Sequence, residues 1–310
     1  MDNQKLPLVS VCMIAYQVKS YIQEAINGVL MQECDFEVEL IISNDNSQDG
    51  TEEIVLKMID EHPKGSWIKY KRQGKNIGST LNYLWVLEHC QGGYIALCDG
   101  DDYWTDSFKL QKQIDFLESN KEFIGSFHNR NKCDETGNIL SNSIQEKEKR
   151  NWDFDGLVSI MPEIPSASVV FRKPPKFSLP EEFKKVVING DTFLWAYVLQ
   201  FGDFYFDSQV GPSVYRIHSQ GLWSSKSSFK KSELSYNTYQ LLDSAFPNRK
   251  SIKLQLFQIR FHLFYYAMKE KKWGKSLNYY FSNLFGLLTY PLGIKVFIEF
   301  HKTVLQKKSR

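Results

Sequence analysis

Short apolar runs that alternate with stretches of helical periodicity constrain this chain more than any other feature. Leu8–Ile14 is an unbroken run of buried-strand length, and helical spacing follows from about Lys19 to Met31. Val38–Ile42 is a second strand, closed by the turn-rich Asn44-Asp45-Asn46-Ser47-Gln48-Asp49-Gly50. Thr51 stands where a helix N-cap belongs, with Ile54, Val55, Met58 and Ile59 as the apolar face behind it. Trp67–Tyr70 reads as a third strand, Ser79–His89 as a helix and Tyr94–Cys98 as a fourth strand. A helix over about Ser107–Ser119 and a strand over Phe123–Phe127 continue the series. Repeated βα units predict a mixed, mostly parallel sheet with helices on both faces. In such sheets ligands sit beyond the carboxyl ends of the strands. The polar clusters at 44–49 and 99–102 each follow a strand directly.

The second half is less regular. Residues 129–155 are polar and without a period, and read as a surface excursion. Ser166–Arg172 alternates like a strand, about Asp191–Gln200 reads as a helix, and Val214–Ile217 is a short strand ending at His218. From Ile252 onward the chain turns to long, aromatic-rich helical stretches. The formal net charge of +2 hides an asymmetry: residues 252–310 hold 11 Lys or Arg against 2 Asp or Glu, so the rest is acidic. That distribution argues against nucleic acid and suits a tail meeting an anionic membrane surface. Five scattered cysteines without a CxxC pair (Cys12, Cys34, Cys90, Cys98, Cys133) point to reduced thiols rather than disulfides or zinc. Leu8–Ala15 is too brief and strand-like for a signal peptide, so a cytoplasmic location is expected.

Asp99-Gly100-Asp101-Asp102 places three carboxylates in four residues at a strand end. Such crowding is unfavourable unless a cation compensates it, and hard oxygen ligands suit Mg²⁺ or Mn²⁺ shared with a phosphate. A solvated turn capping the next helix is the bland alternative, and the cluster alone separates the two only slightly.

The stretch Tyr94–Trp104 resembles the DxD segment of the family 2 glycosyltransferases, an inverting group with the GT-A fold. Thr105-Asp106, Lys109–Gln113 and Phe116-Leu117 are similar to one branch of that family. Val9-Ser10-Val11 leading to Ala15-Tyr16 resembles its opening strand, 44–51 its nucleotide loop, and Asn76-Ile77-Gly78 with Asn82 the segment before the metal site. The likeness runs in consistent order over about residues 7–225. Two positions depart from it: Asn44 and Asn46 replace the Asp and Gly of the usual Asp-Asp-Gly-Ser loop, and Gln17 stands where Asn is common.

The resemblance implies a metal-assisted transfer of a sugar, hexosyl or N-acetylhexosaminyl, from a nucleotide-diphosphate donor such as a UDP-sugar. The acceptor would be a hydroxyl of a growing cell-surface or lipid-linked glycan. It makes Asp101 the direct metal ligand, with His218 completing the metal or diphosphate site. Asp99 would meet the ribose or sugar, and Asp45 the base. Ala15, Tyr16, Asn76, Gly78 and Gly100 would line the donor pocket. Asp191, in Asn189-Gly190-Asp191-Thr192, becomes the base for the acceptor hydroxyl, although by itself it reads as an N-cap. Asp102, Arg216 (as a phosphate partner) and Trp223 are secondary candidates.

A sugar-1-phosphate nucleotidyltransferase is the rival enzyme, but Ala15-Tyr16-Gln17-Val18-Lys19 lacks its Gly-rich basic loop. A degenerate glycan-binding scaffold is the non-enzymatic rival. The expected organisation is a catalytic domain over 1–232, with its nucleotide part at about 7–128 and its acceptor part at about 129–232, followed by a helical region over 233–310. Within that region Ser276–Ile294 is uncharged, which reaches the lower range of a membrane span, yet it carries many polar residues. Amphipathic helices lying on the inner leaflet are preferred, and helices packed over the catalytic domain are the alternative.

Overall fold

The computed structural model describes residues 8–219, 221, 223 and 226–289, the last six of these by backbone alone. They divide into two compact units. The first runs to Phe154 and includes Pro162–Leu179 and Tyr197–Ser219. The second takes Asp155–Met161, Pro180–Ala196 and the described residues after 219. The sequence suggests one boundary at 232; the chain instead crosses between the units several times.

In the first unit, β1 (Leu8–Ala15), α1 (Ile22–Leu30), β2 (Glu37–Asn44), α2 (Thr51–Glu61), β3 (Ile68–Arg72), α3 (Ser79–His89), β4 (Tyr94–Leu97), α4 (Lys109–Ser119) and β5 (Phe123–His128) follow the expected alternation. With β8 (Val170–Arg172) and β9 (Asp203–Asp207) they build a seven-stranded sheet in the order β3-β2-β1-β4-β8-β5-β9. All neighbours are parallel except β8, which runs antiparallel to β4 and β5. β1 is central, and both its faces are covered. Val9, Val11, Met13 and Ala15 join a buried cluster with Ile22, Ile26 and Val29 of α1, Val55 of α2 and Leu110 and Ile114 of α4. On the opposite face Cys12 Sγ lies 3.3 Å from the Sγ of Cys90, which closes α3. Strands buried on both sides favour apolar residues on both faces, which is why β1, β2 and β4 are rich in them; of the buried exceptions, Ser10 and Glu39 hydrogen-bond to each other.

Three expectations are corrected. Residues 129–155 are not structureless: β6 (Arg130–Cys133) and β7 (Ile139–Ser141) form an antiparallel hairpin, and β6 also pairs in parallel with β10 (Ser213–Arg216). The hairpin turn is organised by Asp134, whose Oδ1 accepts from the backbone of Thr136 and Asn138 at 2.9 and 3.0 Å. Ser166–Arg172 divides into a 3-10 turn at Ser166–Ser168 and the shorter β8. Thr51 is the first helical residue rather than the cap. Gly50 precedes it at φ +91°, and Asp49 Oδ1 accepts from Thr51 N at 3.1 Å.

The remaining elements are α5 (Phe154–Ile160), α6 (Gly190–Val198), α7 (Ser228–Ala245), α8 (Lys250–Lys269) and α9 (Trp273–Thr289). In the second unit, α7 is tied down by Tyr239 Oη donating to Val158 O (2.9 Å) and Thr238 Oγ1 donating to Ile188 O (2.9 Å). All five cysteines are free, as their spacing implies. Among the described residues no helix is long and apolar enough to cross a membrane. Residues 290–294 of the uncharged stretch lie outside the described residues.

Candidate active site

The sheet order reverses at β1: the chain proceeds outward through β2 and β3, then returns to β4 on β1's other side. The crevice at that switch point is where α/β sheets bind ligands, and three loops are pinned together there. Asp45 N donates to Ala15 O (2.8 Å), Cys98 N to Cys12 O (3.0 Å) and Gly100 N to Ile14 O (3.0 Å). Position 100 is tight: a Cβ there would lie 2.9 Å from Ile22 Cδ1 and 3.1 Å from Ile14 O, so a larger residue would need both to give way. Ala15, Tyr16, Asp45, Asp99, Gly100 and Asp101 are therefore neighbours at one strand edge.

On the β2 side, Asp45 is buried, and its carboxylate oxygens accept from Ile77 N (2.7 Å) and Gly78 N (2.9 Å). It thus joins Asn76–Gly78 to the nucleotide loop, and its observed partners are backbone amides. The departure at Asn44 has a physical reason. Asn44 Oδ1 accepts from Ser47 N (2.8 Å) while its Nδ2 donates to Tyr70 Oη (3.0 Å), and a carboxylate could not donate. Gln17, at φ +57°, donates its N–H to Ser47 Oγ (2.9 Å), so the loop after β1 is locked to the loop after β2. Tyr16 stands above them, half exposed. Arg72, at the end of β3, was not indicated by any sequence pattern. It pairs with Glu52 and donates to Asn46 Oδ1 and Ser47 O, both at 3.2 Å. A cation at a strand's carboxyl end was its only signal.

On the β4 side, the three carboxylates of the acidic loop have separate surroundings. Asp101 Oδ2 lies 3.0 Å from His218 Nε2, so two residues 117 positions apart in the sequence meet here. His218 is buried, with the Tyr21 ring 5.1 Å away. Asp102 turns inward: its Oδ1 accepts from Arg216 N at 3.0 Å. Burial, then the nearby Asp101 and Asp99, push its carboxyl well above the usual carboxylate range. Asp99 O accepts from Asp102 N (3.1 Å) and closes the turn.

Arg216 is not the free phosphate partner suggested by its position. Its guanidinium donates to Asp101 O (3.3 Å) and Asp134 O (3.4 Å), pairs with Glu24 at 2.5 Å and faces the Tyr21 and Tyr103 rings. It is a strut between β10 and the acidic loop.

Asp191 and Trp223 belong to the second unit. Asp191 opens α6, its Oδ1 accepts from Thr192 N (2.7 Å), and burial raises its carboxyl above the ordinary value. Asn189 just before it adopts φ +61° and donates to Ser235 Oγ (3.0 Å). Trp223 is partly exposed, with Lys231 Nζ 5.3 Å from its ring.

A carboxylate and an imidazole in contact fit a divalent cation whose other positions are filled by phosphate and water, the habit of Mg²⁺ and Mn²⁺. Among the described residues no group of three or more His, Cys, Asp or Glu side chains could hold a metal on its own. Any cation here would depend on its substrate for ligands.

Comparison with known proteins decides the family. The family model "Glycosyl transferase family 2" matches residues 10–173, more than half of the chain. The chain belongs to this family. An uncharacterized Mycobacterium tuberculosis protein is 33% identical over 217 residues, covering 70% of this chain and 61% of that one. The putative teichuronic acid biosynthesis glycosyltransferase TuaG of Bacillus subtilis is 32% identical over 155 residues, covering 49% and 58%. The match thus spans about three fifths of the length of these family 2 relatives. Among solved structures, a mannosyltransferase of Pyrobaculum calidifontis in complex with GDP-Man and Mn²⁺ aligns with a TM-score of 0.56 at 12% identity, over 96% of this chain and 83% of that one. At that identity it shows the fold alone, the GT-A arrangement of family 2.

Proposed function

We propose that the protein is an inverting glycosyltransferase that moves a sugar from a nucleotide-diphosphate donor, a UDP-sugar in the first instance, to a hydroxyl of a cell-envelope glycan. The observation that carries this reading is the contact at the β1/β4 switch point of Asp101, inside the family match over residues 10–173, with His218, which lies beyond that match. The loops at Ala15–Tyr16, Asp45 and Asn76–Gly78 supply the donor's nucleotide wall. Asp101 and His218 would hold Mg²⁺ or Mn²⁺, which when bound neutralises the charge developing on the departing diphosphate. The acceptor oxygen bonds to the anomeric carbon as the bond to the diphosphate oxygen breaks, and Asp191 takes the hydroxyl proton. A carboxyl raised by burial is a better proton acceptor than an ordinary aspartate. The similarity to TuaG, a putative teichuronic acid biosynthesis glycosyltransferase, supports an envelope polysaccharide as acceptor. The basic C-terminal region supports a peripheral position at the inner face of the cytoplasmic membrane. A nucleotidyltransferase is not favoured, since the loop after β1 is neither glycine-rich nor basic.

A thermal-shift screen of UDP- and GDP-sugars, with and without Mn²⁺, identifies the donor. Donor hydrolysis with Mn²⁺ is then compared between wild type and Asp101→Asn. A loss of about a hundredfold or more is expected; equal rates would remove the metal-site assignment.

A further inference from the structure

The helix α9 is built inside out. A helix on a soluble protein buries its apolar stripe and exposes its polar one. In α9 Ser276 is buried and donates its Oγ to Phe264 O (3.2 Å), and Asn283 is fully buried. Trp273, Leu277 and Phe281 are 60%, 55% and 61% exposed. These three recur every four residues and so lie along one face. Burying serine and asparagine while exposing tryptophan, leucine and phenylalanine is unfavourable in water at both faces. The arrangement makes sense only where the outer face meets an apolar medium.

Charge says which medium. Lys269, Lys271, Lys272 and Lys275 surround the start of α9, with Lys272 paired to Glu270 and Lys275 to Glu233, which leaves a net positive charge. Residues 290–310 add Lys295, Lys302, Lys307, Lys308 and Arg310 against Glu299. A second copy docking on the same face would bring like charges together on both flanks. An anionic bilayer offers the complement to both features: acyl chains for the stripe and phosphate headgroups for the lysines. We infer that the Trp273–Leu277–Phe281 face of α9 is a membrane-docking surface that inserts between anionic lipid headgroups. The inference deepens the peripheral placement proposed above and rests on it.

The test is flotation of the full chain with vesicles of phosphatidylcholine containing phosphatidylglycerol, and with phosphatidylcholine alone. Binding to the anionic vesicles only is expected, weakened by salt. Leu277→Glu and Phe281→Glu should each reduce it about tenfold or more, with unchanged melting curves because both side chains are exposed. Donor hydrolysis in vesicle-free buffer is measured in parallel, and the variants should match wild type. Normal hydrolysis with vesicle binding insensitive to both substitutions overturns the inference and leaves the glycosyltransferase reading standing. Absent hydrolysis in wild type with stripe-dependent binding does the reverse. Two further outcomes overturn it: a wild-type dimer that Leu277→Glu dissociates, with no vesicle binding, assigns the face to a second copy. Vesicle binding that is absent in wild type and emerges when 290–310 are deleted assigns it to the chain's own tail.

Discussion

Gly28→Ala places a small substitution where α1 touches the chain just after the acidic loop. A Cβ on this buried helical residue would lie 2.8 Å from Trp104 N and 3.1 Å from Trp104 O. Both are backbone atoms, so no rotamer relieves the contact. Trp104 cannot easily retreat either: its Nε1 donates to Ala167 O at 2.7 Å, and Lys109 Nζ sits 4.1 Å from its ring centre. Helix propensity favours alanine over glycine by about 1 kcal/mol, whereas overpacking a fixed core costs about 1–3 kcal/mol. With two backbone contacts the upper part of that range applies, so the net loss is about 1–2 kcal/mol. Urea unfolding should show a lower midpoint at unchanged slope. Asn27→Ala, one residue earlier and exposed, isolates propensity and should stabilise by a few tenths of a kcal/mol. Because Asp102 lies two residues before Trp104, Mn²⁺-dependent donor binding should weaken in Gly28→Ala as well. A Gly28→Ala protein as stable as wild type, or more so, would refute the reasoning.

Lys109 is fully buried beside Trp104 and Gln113, and burial lowers its ammonium to about 7. Between that value and the unfolded lysine's own, near 10.4, the unfolded state binds more protons, so stability rises with pH by up to about 1.4 kcal/mol per unit. Lys109→Met should abolish this contribution, read as the wild-type-minus-variant slope of urea unfolding between pH 7 and 9. Arg216→Lys keeps the charge but loses the planar fork that grips Asp101 O, Asp134 O and Glu24. It should weaken Mn²⁺-dependent donor binding about 10–100-fold, measured by calorimetry. Asp191→Asn should lower the transfer rate about 10²–10⁴-fold while leaving donor affinity unchanged. In wild type kcat should fall with acid at a pH above the ordinary aspartate value, because burial raises the carboxyl that must be ionised to accept the proton.

The elements legible in the sequence are those whose burial is two-sided. Val11–Ile14, Leu40–Ile42 and Tyr94–Leu97 carry apolar residues at every position, and a run of that kind has few alternatives to a buried strand. Arg130-Asn131-Lys132-Cys133 has none of that signal. It is a strand because β10 and β7 flank it, and its buried Arg130 is tolerated because Glu163 pairs with it and the Tyr215 ring lies 5.1 Å away. The helix α7 starts at Ser228, ahead of the helical region expected from 233, because Ser228–Ala245 spreads its few apolar residues without a stripe to mark its beginning. At the site, resemblance named Asp101 and His218 but could not say that they touch. Glu24 carried no signal, because its partner Arg216 is 192 positions away and only the folded chain joins them. Residue type and local spacing reveal what a position could do. Which donors and acceptors are already engaged, as for Arg216 and Asp45, is a property of the fold.

The acidic loop shows the difference most fully. Three carboxylates in four residues repel one another, and a sequence reading can resolve that only by invoking a cation. The structure resolves much of it without one. Asp102 is withdrawn into the protein, held by Arg216 N and pushed toward its protonated form, which takes one charge out of the cluster. The Arg216 guanidinium donates to the carbonyl of Asp101 and holds the loop in place. His218 meets Asp101 at 3.0 Å. Asp99 and Asp101 remain partly exposed, and Asp101 has the imidazole beside it. On the proposed reading, that pair would bind a cation chiefly through the diphosphate that accompanies it. Selectivity for the metal–donor complex over free metal would then follow from this economy of ligands. The loop's shape in turn rests on the strut that Arg216 makes with Asp101 O, Asp134 O and Glu24.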